Sequence, residues 1–215
     1  MSITPDTKDW TWVLDRECHD CGFEASAVPL DKVSGLLLEN AARWHSLLRS
    51  PGDHAARPAP EKWSPLEYAA HVRDTCRVYL YRLRLMLEQD DPLYPNWDQD
   101  ATAVEERYDE QDPVDVADEL LACAQELAAA FAHVKGDQWR RTGQRSDGAA
   151  FTVETFARYF LHDPVHHWWD VQVGAPAEAV AAPEPQETAP EEAPQEEAEP
   201  EETGPEGAGV EAARS

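Results

Sequence analysis

The chain has no run of eighteen apolar residues, and no basic segment leads into an apolar one near its start. Neither a membrane-spanning helix nor a secretory leader is therefore expected, and the expected location is the cytoplasm. Cysteine is scarce: four residues among 215 do not make a disulfide framework in a chain this long. Two of them, Cys76 and Cys123, fall inside helical patterns, where a buried small hydrophobe is the default. Internal repeats at a fixed period are also missing. Basic residues are outnumbered, with 18 Lys and Arg against 43 Asp and Glu and a net charge of −25. A chain of that sign is a poor partner for a nucleic-acid backbone or an anionic membrane.

What is present divides unevenly. Residues 175–215 hold twelve Glu, seven Pro, one Arg and no aromatic residue. Such a segment cannot bury enough apolar surface to offset its ordering entropy, so a disordered acidic tail is expected, acting as a solvated bristle rather than as bait for a basic partner. The rest is rich enough in apolar residues to bury one core.

Four stretches carry the 3.6-residue period of a helix. Leu30, Val33, Leu37, Ala41, Trp44 and Leu48 trace one face, halted by Ser50-Pro51-Gly52. A second helix opens at Ser64-Pro65-Leu66-Glu67, where a serine cap, a proline at the first helical position and a glutamate three residues on form a capping box. It continues to about Glu88. A third opens at Asp112-Pro113 and uses Val116, Leu120, Ala124, Leu127 and Phe131 before Gly136. The fourth begins near Thr152 and runs to about Val173. The fold class expected is all-α: a four-helix bundle over residues 28–174, with a long crossover at 90–111 between the second and third helices, an N-terminal extension over 1–27 and the tail. Residues 139–151 read as an irregular or hairpin loop turning at Ser146-Asp147-Gly148.

Three of the eight histidines crowd into Leu161-His162-Asp163-Pro164-Val165-His166-His167. Positions four apart lie one above the other on a helix, so His162 and His166 share a face while His167 points about 100° away. Two imidazoles at that spacing can hold one metal ion, and His71, two turns inside the second helix, is the best third ligand. Three neutral imidazoles would leave a coordination position open. Asp170 could orient His166 from the same face. Against this, Pro164 removes an amide from the helix, and a helix restarting there would separate the pair. Glu67 is explained by its cap, and Arg73, Arg77, Arg158 and Tyr159 are either pocket lining or solvated core edge.

The N-terminal extension contains Cys18-His19-Asp20-Cys21-Gly22-Phe23. CxxCG is half of a zinc-ribbon knuckle, with no second CxxC to complete it. A plain structural turn, a metal role and a redox role remain open for it. Trp10, Trp12 and Phe23 serve to anchor the extension.

Trp63-Ser64-Pro65-Leu66-Glu67-Tyr68-Ala69-Ala70-His71-Val72-Arg73-Asp74 resembles the W-S-x-x-E-x-x-x-H segment of the DinB-like superfamily, and His162-Asp163-Pro164-Val165-His166-His167 resembles that superfamily's second histidine motif. The resemblance spans about residues 28–173, and residues 10–23 look like an extension found in an actinobacterial subgroup. It implies a four-helix bundle, often dimeric, with a divalent metal bound by His71, His162 and His166. Zinc is the most economical ion for imidazole ligands, with nickel or iron also acceptable. Several members of that superfamily are transferases or isomerases using a low-molecular-weight thiol such as mycothiol or bacillithiol. The function implied is a thiol-dependent S-transferase acting on a small electrophile; the alternative is a non-catalytic metal-binding or interaction protein of the same fold.

Overall fold

The first long helix, α1 (Val33–Leu48), buries Val33, Leu37, Ala41, Trp44 and Leu48 along one stripe, as their spacing dictates. The structure is a computed structural model describing residues 9–174, and the acidic tail lies outside the described residues. The second helix, α2 (Pro65–Glu88), begins in a complete capping box. The Glu67 N–H donates to Ser64 Oγ over 3.2 Å, and the Ser64 N–H donates to Glu67 Oε2 over 2.8 Å. Two otherwise orphaned donors are satisfied there, fixing where the helix starts and so where His71 lies.

The crossover after α2 is not structureless. It contains a two-residue strand, β1 (Leu93–Tyr94), a short helix, α3 (Gln99–Glu105), capped by Asp98, and a single 3₁₀ turn over Tyr108–Glu110. Buried Tyr108 donates from its hydroxyl to Asp74 Oδ2 over 2.6 Å. Asp74 also accepts from Arg73 and Arg77, so the crossover is tied to α2 through one carboxylate. Burial alone would raise the pKa of Asp74, but its hydrogen bonds from Arg73 and Tyr108 hold it below the ordinary value.

Helix α4 (Pro113–His133) is capped by the Asp112 carboxylate, which accepts from the Val114 and Asp115 amides. A hairpin follows, with β2 (Thr142–Arg145) antiparallel to β3 (Ala150–Thr152) and its turn at residues 146–149. β1 adds to β2 in parallel, giving a three-stranded sheet of order β1-β2-β3 that the apolar pattern did not announce. Gly143 permits this layering: a Cβ there would stand 2.7 Å from Met86 Cγ and 3.0 Å from Tyr94 Cε1.

The last helix, α5 (Val153–Gly174), runs unbroken through Pro164. It does not restart at the proline, and Asn40 of α1 donates to the Pro164 carbonyl over 2.9 Å. α4 and α5 each pack against both α1 and α2, while contact between α1 and α2 is slight. The shared core is built on Trp44, Leu83, Leu120, Phe131, Phe156 and Phe160, all essentially inaccessible to solvent. Among the described residues, no helix is long and apolar enough to cross a membrane.

Candidate functional site

α5 presents histidines on two adjacent faces. Side chains at 162 and 166 point one way and those at 163 and 167 about 100° further round, because each residue of an α-helix advances by that angle. The three imidazoles implied as one ligand set are divided accordingly. His71 groups with Asp163 and His167, whereas His162 and His166 group with Cys18 and Cys21. Within each group the ligating atoms lie within 4.8 Å of one another.

In the first group, His71 Nε2 stands 3.3 Å from Asp163 Oδ2, and His167 Nε2 stands 3.7 Å from the same oxygen. Ligands about 2.1 Å from one ion in a tetrahedral array are about 3.4 Å apart, so these separations suit a shared metal ion. Asp163 Oδ1 and His71 Nδ1 are buried without a hydrogen-bond partner, and an orphaned polar atom is costly unless something else engages the site. Burial would raise the Asp163 carboxyl, yet the neighbouring His71 and His167 rings hold it well below the usual carboxylate range. It therefore stands ionised among the imidazoles. Two imidazoles and one carboxylate form a ligand set that suits zinc or iron and leaves coordination positions free.

Neighbouring residues hold these ligands in place. Trp97 stacks on His71 with ring centroids 5.5 Å apart and planes at 6°, and Trp63 lies 5.3 Å away on the same ring. Thr75 Oγ1 is 3.3 Å from His71 Nε2. Asp170 Oδ2 is 3.1 Å from His167 Nδ1, which leaves Nε2 facing Asp163. Asp170 was expected to serve His166, but it stands 3.9 Å from that ring and closer to His167. Its charge and the burial of Tyr68, burial being the larger cause, push the Tyr68 phenol well above its ordinary pKa.

Asp163, His167 and Asp170 open onto a cleft of about 1230 Å³, which His162 and His166 also line, with Trp97, Arg82 and Arg145 on its walls. Of the other residues proposed as pocket lining, Tyr159 lines this cleft. Arg73 and Arg77 are held by Asp74 and Glu119, and Arg158 by Glu154; none of the three lines the cleft. Glu67 is buried, engaged by its cap and paired with Arg57, and it belongs to neither group.

The second group joins chain ends far apart in sequence. Cys18 and His162 are almost fully buried, His166 nearly so, and Cys18 Sγ is 3.6 Å from His166 Nδ1. Burial pushes His162 down to about 4 and lowers His166 as well, so both rings are neutral at pH 7. Trp10 lies 5.3 Å from the His162 ring and 5.0 Å from the His166 ring, and Phe23 lies 5.7 Å from His162. These aromatics seat the N-terminal segment on α5.

Asp163 and His167 were missed as a pair although they repeat the same four-residue spacing one position along. The i, i+4 signal identified the helix and the cluster but not which of two overlapping pairs faces α2.

The DinB superfamily profile matches residues 36–171. Among solved structures, YfiT from Bacillus subtilis, described as a probable metal-dependent hydrolase with an unusual four-helix bundle topology, superposes with a TM-score of 0.59. It shares 17% identity and covers 67% of this chain and 86% of its own. A search of curated proteins gives no match. With the profile running from α1 to the end of the histidine cluster, the chain belongs to the DinB superfamily.

Proposed function

We propose that the protein is a divalent-metal-dependent enzyme acting on small molecules in the cleft, with His71, Asp163 and His167 holding the ion. The observation that carries this reading is the convergence of two imidazole nitrogens on one carboxylate oxygen, at 3.3 and 3.7 Å, beside an open cleft. A divalent ion bound there would supply Lewis acidity, enough to ionise a thiol or a water near neutral pH.

The chain's own residues do the rest. Asp163 offsets part of the ion's charge, and Asp170 fixes the orientation of the His167 ring. Trp63 and Trp97 cover His71 and keep water off that side. Arg82 and Arg145 stand on the cleft wall among several carboxylates, Arg82 held by the Pro95 carbonyl and Arg145 by Asp147. The cleft exceeds the roughly 300–1,000 Å³ of a typical single-ligand pocket, which favours two reactants. A low-molecular-weight thiol and a small electrophile fit that requirement, with the thiolate as nucleophile and an S-conjugate as product. A hydrolytic reading, with water as nucleophile, is favoured by the description of YfiT.

Purified full-length protein should lose one divalent ion per chain in the His71→Ala variant, and retention of the full metal content would refute the ligand assignment. Incubation with mycothiol, bacillithiol or glutathione and a generic electrophile should give a conjugate that disappears on chelation. Hydrolysis of ester or amide substrates without thiol consumption would select the second reading, and metal uptake with neither activity would leave a non-catalytic binder.

A further inference from the structure

We infer that Cys18, Cys21, His162 and His166 form a second, closed metal site, a tetrahedral zinc centre that pins the N-terminal segment to α5. Four ligating atoms lie within 4.8 Å of one another. Two are sulfurs from a C-x₂-C turn and two are nitrogens from an H-x₃-H pair on one helix face. Those spacings and that donor set characterise structural zinc sites. A sulfur about 2.3 Å and a nitrogen about 2.05 Å from one tetrahedral ion are about 3.6 Å apart, and the Cys18 Sγ to His166 Nδ1 distance is 3.6 Å.

The local backbone is shaped for this. The Gly22 N–H donates to the Cys18 carbonyl over 2.8 Å, and the Cys18 N–H donates to the Phe23 carbonyl over 2.9 Å. Gly22 adopts φ +71°, a left-handed conformation that glycine takes without strain. The turn folds back on itself and brings Cys21 round to Cys18. On the helix side, His162 Nε2 is buried without any hydrogen-bond partner. An isolated hydrogen-bonded turn would leave that atom unexplained, whereas a metal ligand would use it. Asp170, 3.9 Å from His166 Nε2, supplies a carboxylate behind the ligand.

With all four positions taken by protein, the site has no vacancy for substrate, so its role is structural. Binding displaces two thiol protons per ion, the thiolates and imidazoles filling the coordination sphere. The ion would fix Trp10, which forms part of the cleft wall. The inference does not depend on the reaction proposed for the cleft.

Cobalt(II) added to the metal-free, reduced full-length protein provides the test, because only a thiolate ligand gives an intense near-ultraviolet charge-transfer band. That band is expected in the wild type and in a His71→Ala/Asp163→Ala variant, and it should vanish in Cys18→Ser/Cys21→Ser. Should the serine variant fail to fold, His162→Cys supplies a third thiolate and should intensify the band. Cobalt uptake without the band, a band that survives in the folded serine variant, or a Cys18–Cys21 disulfide persisting under reductant overturns the inference. Loss of cobalt from the His71→Ala variant with the band intact separates this site from the cleft site.

Discussion

Two neighbouring faces of α5 carry the same four-residue spacing and lead to different chemistry. The face of Asp163 and His167 meets α2 and receives one more imidazole, from His71. The face of His162 and His166 meets the N-terminal segment and receives two thiols. The first set offers three ligands and the second four; both reach the cleft, and the second is also packed against Trp10 and Phe23. The difference lies in what the rest of the chain brings to each face, not in the helix itself.

The largest effect that would sharpen this contrast is expected from Asp163→Asn. Loss of the ligand charge should abolish metal-dependent turnover and metal binding in the cleft while leaving a thiolate-bound cobalt band untouched. A simultaneous loss of both would show that the faces are not separable. Next comes Asp170→Asn. Partners that orient a metal-bound histidine typically contribute about 10–100-fold in affinity. Because Asp170 is 3.1 Å from His167 but 3.9 Å from His166, competition titration should show that loss in the cleft and a smaller one at the cysteine group.

Asn40→Ala tests what sets the rotation of α5. Removing its buried hydrogen bond to the Pro164 carbonyl should cost about 1–3 kcal/mol of stability, read as a lower denaturation midpoint. Both metal affinities should weaken together if that bond fixes how the two faces point. The smallest effect is a control away from both faces. Asp74 is held below its ordinary pKa of 3.8 by Arg73, Tyr108 and Arg77, so the unfolded chain binds its proton first as pH falls. Its contribution is therefore present above about pH 4 and lost as pH drops through the lower folded value, worth about 1.4 kcal/mol per unit of displacement. Urea titrations of Asp74→Asn should show that acid-side slope flattened, with metal binding unchanged.

Much of this architecture was legible in the sequence because it is written locally. The Ser64 to Glu67 cap, the Asp112-Pro113 start and the Ser146-Asp147-Gly148 turn are each encoded within a few residues, and all appear. His71 follows from its distance to that cap. The parallel pairing of β1 with β2 joins residues about fifty positions apart through two-residue contacts, too short to leave a periodic trace. The partition of the histidines was hidden for a related reason. Spacing fixes which side chains share a face, but the direction of that face depends on packing with α1, α2 and a segment some 140 residues away. The missing half of the CxxC knuckle was sought as another CxxC, whereas the fold brings it from α5.

Gly143 has a reach beyond its own position. Arg145 lies two residues further along the same strand, on the side facing Phe151 and Tyr159. The Arg145–Asp147 pair on the cleft wall is thus carried on a strand lying against Met86 and Tyr94. An added methyl there would lift the hairpin and shift the arginine, changing which molecules the cavity welcomes without altering one group that touches them.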